Sequence, residues 1–329
     1  MSKSTNNDTV AIVIAAYNAS NTIEKAVRSA LIQKSVSQVI VVDDASQDNT
    51  YEAALLAEDN SGRLLVLKLP KNSGPSAARN LALKNTTAQW FTVLDADDYL
   101  MEGRIDKLLS LAGNDYDILA DDLWLLEEGD NPENISPMLN IEPTDKVSDL
   151  SLETFIAGNL PQKGKSRREL GFLKPIIRKT SLDEAHLQYD EKMRLGEDYD
   201  LYVRLLANGA KAGLTSPQGY VAIRRANSLS GCHGHSELMH FYNSIRTHRD
   251  LPNLSKEARH LNKLARTNAS RKYRWAKMIH AIKHGNIGDF LSCLTTSPDN
   301  IVFLFSNLAL TLHYRLFKHK KKLDTQKFS

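Results

Sequence analysis

From Val10 to about Val93, short apolar runs alternate with stretches whose apolar residues recur every three to four positions. That is the pattern of strand–helix–strand units building a mainly parallel sheet. Val10 to Ala16 reads as a buried strand. Asn21 is placed to cap a helix on which Ile23, Val27, Ala30 and Leu31 share one face. Val39 to Val42 reads as a second strand, Asp48 or Asn49 opens a second helix, and Leu64 to Leu69 is a third strand. The Gly74-Pro75 turn starts a third helix running through Leu83, and Trp90 to Leu94 forms a fourth strand that ends directly in Asp95.

Downstream the pattern breaks. Glu127 to Asp149 is polar, acidic and proline-containing without a sustained period, which predicts a loop or insertion. A basic stretch, Lys163, Lys165, Arg167 and Arg168, precedes a strand near Pro175 to Ile177. Helical spacing returns from Glu197 to Ala207 through Leu201, Leu205 and Leu206. Short strands around Lys211 to Leu214 and Tyr220 to Arg224 close the α/β domain. The expected organisation is a flexible polar stretch over 1–9, an α/β domain over 10–235, and a helical region with a basic tail over 236–329.

A chain of 329 residues with 42% hydrophobic and 25% charged residues has the composition of an ordinary globular protein, neither disordered nor membrane-embedded. The formal charge of +3 is too small to imply nucleic-acid binding. Cys232 and Cys293, far apart, provide no zinc spacing and no disulfide framework. Met1 to Thr9 lacks the apolar core of a signal peptide, so a cytoplasmic location is expected.

The densest acidic cluster at a strand end is Asp95-Ala96-Asp97-Asp98. Open α/β sheets bind ligands at the carboxyl edges of their strands. Three neighbouring carboxylates repel unless a cation neutralises them or one stays protonated, and an all-oxygen donor set suits Mg2+ or Mn2+. Asp43-Asp44 ends the second strand at what should be the same edge. The first strand runs into Ala15-Ala16-Tyr17-Asn18, whose tyrosine could stack on a nucleobase. Asn72 to Asn80 puts a helix N-terminus beside Arg79, which could reach a diphosphate or brace an aspartate. Glu197-Asp198 opens a helix after a glycine, where the helix dipole favours anionic carboxylates. No Gly-x-x-x-x-Gly-Lys-Ser/Thr loop and no Gly-x-Gly-x-x-Gly fingerprint occurs.

Taken in order and spacing, Ile14 to Asn18, Val42 to Ser46, Gly74 to Asn80, Asp95 to Asp98 and Gly196 to Asp198 resemble the inverting glycosyltransferases of family 2, which have the GT-A fold. The likeness spans about Val10 to Ser230 and is nearest to exopolysaccharide glucosyltransferases of the succinoglycan kind. The resemblance implies a nucleotide-diphospho-sugar donor, with Ala15, Tyr17, Asn18 and Asp44 lining the nucleoside pocket and Arg79 supporting it. Asp95, Asp97 and Asp98 would hold Mg2+ or Mn2+, and Asp198 would be the catalytic base. Arg225 and His233 are candidates to close over the donor.

Arg271, Arg274 and Trp275 also fit an Arg-x-x-Arg-Trp pattern resembling that of processive membrane synthases, but a basic helix face with one buried tryptophan is the simpler account. Ile301 to Leu312 is apolar but too short to span a bilayer, which takes about 20 residues. With Arg315, Lys318 and Lys320 to Lys322 it forms a segment able either to adsorb to the anionic inner face of a cytoplasmic membrane or to pack on the α/β domain. A lipid-linked oligosaccharide acceptor would make adsorption useful. A nucleotidyltransferase and a non-catalytic scaffold are the competing readings.

Overall fold

The computed structural model describes residues 8–144, 146–161, 168–225 and 234–326, with the side chains of Leu312 and of residues from 314 onward excepted. Lys163, Lys165, Arg167, Cys232, His233 and most of the polar N-terminus lie outside the described residues.

The first half runs β1 (Val10–Ala16), α1 (Ile23–Leu31), β2 (Val36–Asp43), α2 (Thr50–Leu55), β3 (Leu64–Lys68), α3 (Pro75–Asn85) and β4 (Trp90–Val93). It matches the expected alternation to within a few residues. One expected cap is corrected: α1 begins after Thr22, not Asn21, and no side chain caps it. Its start is fixed instead by the amides of Thr22 and Ile23 turning back onto the Ala19 carbonyl.

Next come β5 (Tyr99–Leu100), α4 (Arg104–Ala112), β6 (Ile118–Asp121), β7 (Trp124–Glu127), β8 (Ser136–Pro137), β9 (Ser148–Asp149), α5 (Leu152–Gly158), β10 (Ile176–Arg178), α6 (Lys179–Glu184), α7 (Glu197–Ala207), β11 (Ala212–Thr215) and β12 (Tyr220–Arg224). The segment expected to be a loop, Glu127 to Asp149, thus contributes two short strands. They carry no apolar alternation because each is a two-residue edge strand.

Among the described residues the main sheet has eight strands in the order β3-β2-β1-β4-β10-β6-β11-β9, of which only β10 and β9 run against the rest. A second sheet, β5-β12-β7-β8, lies beside it. The inner parallel strands are buried along most of their length, with Val10 to Ile14 and Val39 to Val42 at most 1% exposed, as a sheet covered on both faces requires, whereas β3 at the sheet edge is only partly buried.

The antiparallel β10 has a particular consequence. Ile177 pairs with Phe91 and Arg178 with Trp90. The residues just before β10 therefore lie beside the carboxyl end of β4, where Thr92 donates to the Lys174 carbonyl.

The C-terminal region is helical, as expected: α8 (His235–Thr247), α9 (Lys256–His284), α10 (Ile287–Cys293) and α11 (Pro298–Gln326). The main apolar core does not stop at residue 235. Ile245, Leu254, Ala258, Ala265 and Ala269 belong to it, and Ser255, which caps α9, also donates to Glu153 on α5. Farther along, Met278, Cys293 and Leu304 form a separate small core with Trp275, Phe290, Leu294 and Phe303. Arg271 and Arg274 are structural there. The first donates to Asn300, and the second to the carbonyls of Ser292 and Cys293 at the end of α10, where cationic donors offset the helix dipole. Among the described residues no helix is long and apolar enough to cross a membrane.

Candidate active site

β1, β2 and β4 end side by side, so Tyr17-Asn18, Asp43-Asp44 and Asp95 to Asp98 leave the sheet along one edge. Two of the emerging loops are laced together. The Asn18 amide donates to Ser46 Oγ, Asn18 Oδ1 accepts from the Gln47 amide, and the Ala19 amide donates to Thr50 Oγ1. Asn18 takes φ 50°, a left-handed conformation that asparagine tolerates better than most residues. Ala15 is half-buried, and Tyr17 is 45% exposed.

Asp44 is buried, and its carboxylate accepts the backbone N–H groups of Ser73 at 2.6 Å and Gly74 at 2.7 Å. It therefore braces the turn that opens α3 rather than standing open to a ligand. Gly74 adopts φ 92°, which L side chains rarely occupy, and Arg194 packs where a Cβ would project. This positions Pro75 at the first turn of α3 and directs Arg79 inward.

The centre of the site is a cluster of ions. Arg79, 4% exposed, reaches Glu197 at 2.8 Å, Asp198 at 3.1 Å and Asp95 at 3.2 Å. Lys174 lies 2.9 Å from the other oxygen of Asp198 and 3.0 Å from the other oxygen of Asp95. Tyr189 donates to Asp198 at 3.2 Å. Of the two roles open to Arg79 in the sequence, the structure shows the bracing of aspartates. Asp95 and Asp198, 103 positions apart in sequence, thus share two buried cations.

The acidic motif divides into three environments. Burial would raise the Asp95 carboxyl, but the charges of Lys174 and Arg79 hold it below the ordinary range. Asp97 faces the rim at 40% exposure, 3.1 Å from Arg225. Burial and the Asp95 charge raise it, while Arg225 pulls the other way. Asp98 turns away toward the second sheet. It accepts from the Tyr220 hydroxyl and the Ile223 amide, each at 2.8 Å, and burial with the charges of Asp95 and Asp97 pushes it up to about 8.

The expected convergence of three carboxylates on one ion is therefore not what the chain builds. Among the described residues no group of three His, Cys, Asp or Glu is placed to hold a metal. Two protein cations neutralise Asp95, and Asp98 is held as a strut. Asp97 presents its carboxylate at the rim beside the partly exposed Asp95. That donor set still fits a hard divalent ion, because Mg2+ keeps several waters and takes its other ligands from substrate phosphates.

Sequence reasoning missed Lys174, Tyr189 and the bracing role of Glu197. The signal for Lys174 was present: it is a lone lysine in the apolar run Leu173 to Ile177, and buried lysines are almost always paired. Its carbonyl also accepts from Arg104, which forms a fully buried ion pair with Asp121 at 2.7 Å.

The model of glycosyl transferase family 2 matches residues 11–157. The succinoglycan biosynthesis protein ExoU of Rhizobium meliloti (strain 1021) is 41% identical over 237 residues, 72% of this chain and 68% of ExoU. The UDP-Glc:alpha-D-GlcNAc-diphosphoundecaprenol beta-1,3-glucosyltransferase WfaP of Escherichia coli is 26% identical over 212 residues, 63% of this chain and 74% of WfaP. The crystal structure of S. aureus TarS 1-349 in complex with UDP-GlcNAc superimposes with a TM-score of 0.61 at 18% identity, covering 87% of this chain and 90% of TarS 1-349.

Proposed function

The chain belongs to glycosyl transferase family 2 and is a glycosyltransferase; from that premise we propose that it moves glucose from UDP-glucose, with inversion, onto a hydroxyl of a lipid-linked oligosaccharide in exopolysaccharide assembly. The observation that carries this reading is the meeting of Asp95 and Asp198 across Lys174 and Arg79, with Asp97 on the same rim. Relatives support the substrate classes. ExoU is named for succinoglycan biosynthesis, and WfaP for a UDP-glucose donor and a diphosphoundecaprenol-linked acceptor.

Tyr17 stacks on the base, while Ala15, Asn18 and the Asp44-braced turn shape the nucleoside side of the cleft. Asp97 is the residue that would hold Mg2+ or Mn2+, which when bound offsets charge on the departing diphosphate. Arg225, paired with Asp97, sits where it can exchange that contact for a phosphate oxygen. The acceptor oxygen bonds the anomeric carbon as the bond from that carbon to the diphosphate oxygen breaks. The electron pair of the broken bond leaves with the nucleoside diphosphate, and the acceptor proton passes to an Asp198 oxygen. Both Asp198 oxygens are engaged, so the acceptor hydroxyl displaces one of these contacts. Catalytic hydrogen bonds commonly tighten only once substrate is present.

The same proposal places the protein against the inner face of the cytoplasmic membrane through Ile287 and Leu291 of α10 and Val302 and Phe305 of α11, all 45% exposed or more.

The test is UDP release from a panel of UDP-sugars by purified protein with Mn2+. UDP-glucose is expected to react fastest, chelation to stop the reaction, and Asp198→Asn to lower kcat by about 10²- to 10⁴-fold while UDP binding is retained. Protein that neither binds nor hydrolyses any donor would overturn the proposal.

A further inference from the structure

The strands that meet at the site stand in the order β2, β1, β4, β10. The proposed nucleoside side of the cleft leaves β1 and β2, and Asp95 and Asp97 leave β4. Because β10 runs antiparallel to β4, the chain entering β10, from Leu170 to Pro175, comes to this same edge on the far side of β4. Displacement with inversion brings the acceptor to the anomeric carbon from the side opposite the departing diphosphate. The segment entering β10 is the part of the sheet edge placed to meet it.

That segment is tightly anchored. Leu170–Phe172 forms one helical turn, in which the Phe172 amide donates to the Glu169 carbonyl at 2.8 Å and the Leu173 amide to that of Leu170 at 3.3 Å. Glu169 takes φ 54°, a left-handed conformation that a glutamate holds only where its surroundings impose it. The Gly171 amide donates to Asn159 Oδ1, and a Cβ on Gly171 would come within 3.0 Å of the Cβ of Tyr199, the residue after Asp198. The Leu173 carbonyl accepts from Tyr202, and Lys174 holds both Asp198 and Asp95. Leu170 and Leu173 are at most 1% exposed, yet Phe172 between them is 47% exposed. A lone apolar side chain on an ordinary surface needs no explanation. Here a turn tied on one side to the neighbour of Asp198, and on the other to Asp198 itself, holds a phenyl ring in solvent. Its Cα is at most about 7 Å from that of Lys174.

We propose that Phe172 is the platform on which the terminal pyranose ring of the acceptor rests while its hydroxyl approaches Asp198. One face of a gluco- or galacto-configured ring is lined by C–H groups. Their weakly positive hydrogens suit the negative face of the phenyl ring, and stacking removes apolar surface of both from water. Water offers no such face, so the platform favours a sugar over water as the attacking group. The inference rests on the transferase reading above and adds the acceptor contact to it.

The experiment uses the full chain with Mn2+ and whichever radiolabelled UDP-sugar it hydrolyses fastest. The acceptor is the lipid fraction extracted from cells lacking this chain. Sugar recovered in lipid and sugar lost to water are measured together for wild type, Phe172→Ala and Phe172→Trp, with thermal unfolding alongside. Phe172→Ala is expected to lower the ratio of transfer to hydrolysis by about tenfold or more, and to raise the acceptor KM more than it lowers kcat. Thermal unfolding should not change, since the ring is exposed. Phe172→Trp keeps a flat aromatic face and should restore most of the ratio. An alanine variant that partitions sugar as wild type does, or a tryptophan variant no better than alanine, overturns the platform. Equal losses of transfer and hydrolysis in Phe172→Ala overturn it as well, because a structural role would produce them. Wild type that releases UDP from no donor overturns the transferase reading itself, and the platform with it.

Discussion

Lys174 shows how one side chain organises the site. Its side chain is 7% exposed, and its ammonium lies within 3.0 Å of carboxylates from two distant segments. Removing one member of a buried ion cluster leaves the others uncompensated, typically at about 3–5 kcal/mol. Asp95 is 37% exposed, so solvent takes up part of that cost. Lys174→Met is therefore expected to lower unfolding free energy by about 2–3 kcal/mol, read as a lower denaturant midpoint at unchanged slope. Asp98 makes the opposite kind of contribution. Its folded carboxyl titrates near 8 against an ordinary value of 3.8, so the fold favours the protonated form. The stability it provides is complete below about pH 4 and is lost as pH rises through about 8. Asp98→Asn should flatten the decline in stability between about pH 4 and 8. A variant as pH-sensitive as wild type in chemical denaturation would contradict this assignment.

At the scale of elements, α7 and β10 decide the geometry. The first turn of α7 presents Glu197 and Asp198 to Arg79, and the helix is anchored behind them by a buried cluster in which Ser244 and His248 of the following segment bond Asp200. Burial would raise the Asp200 carboxyl, but the His248 hydrogen bond and the Arg204 charge hold it below its ordinary value. Gly196 permits the turn into α7. It has φ 72°, and a Cβ there would come within 2.4 Å of the Phe241 ring. Gly196→Ala should cost at least about 1 kcal/mol through the left-handed backbone alone, more through the clash with α8, and should lower kcat more than it raises KM. Thermal unfolding and steady-state kinetics on one preparation check both halves. Much of α7 was legible because its apolar residues keep helical spacing. β10 was legible as a short strand, but nothing in three residues reveals that it runs antiparallel, and that direction is what delivers Lys174 to the end of β4.

The whole molecule is an α/β body whose core extends into α8 and the first half of α9, followed by a smaller core around Met278, Cys293 and Leu304. Around the smaller core several apolar side chains remain exposed, among them Val302 at 65% and Leu310 at 67%. If this surface meets a bilayer, Val302→Asp/Leu310→Asp should reduce co-sedimentation with anionic vesicles at least tenfold, because carboxylates are repelled by the surface and the apolar contact is lost. UDP release in solution should not change, since neither residue lies at the sheet edge. Equal sedimentation of variant and wild type would remove the membrane from the proposal.

Sequence alone determined the alternation of β1 to β4, the edge at which the acidic turns emerge, and the start of α7 at Glu197-Asp198. Each of these is written locally, in apolar periodicity and in turn residues such as Gly74-Pro75. It also carried, through motif order and spacing, the family to which the chain belongs. Tertiary structure alone decided what the carboxylates do. Asp95, Asp97 and Asp98 are near neighbours in sequence, yet one is clasped by Lys174 and Arg79, one faces the rim, and one is bound by Tyr220. The physical reason is that a side chain's charge state and role depend on the partners brought to it. Here those partners come from the segment leading into β10, from α3 and from β12, at separations that no local pattern encodes.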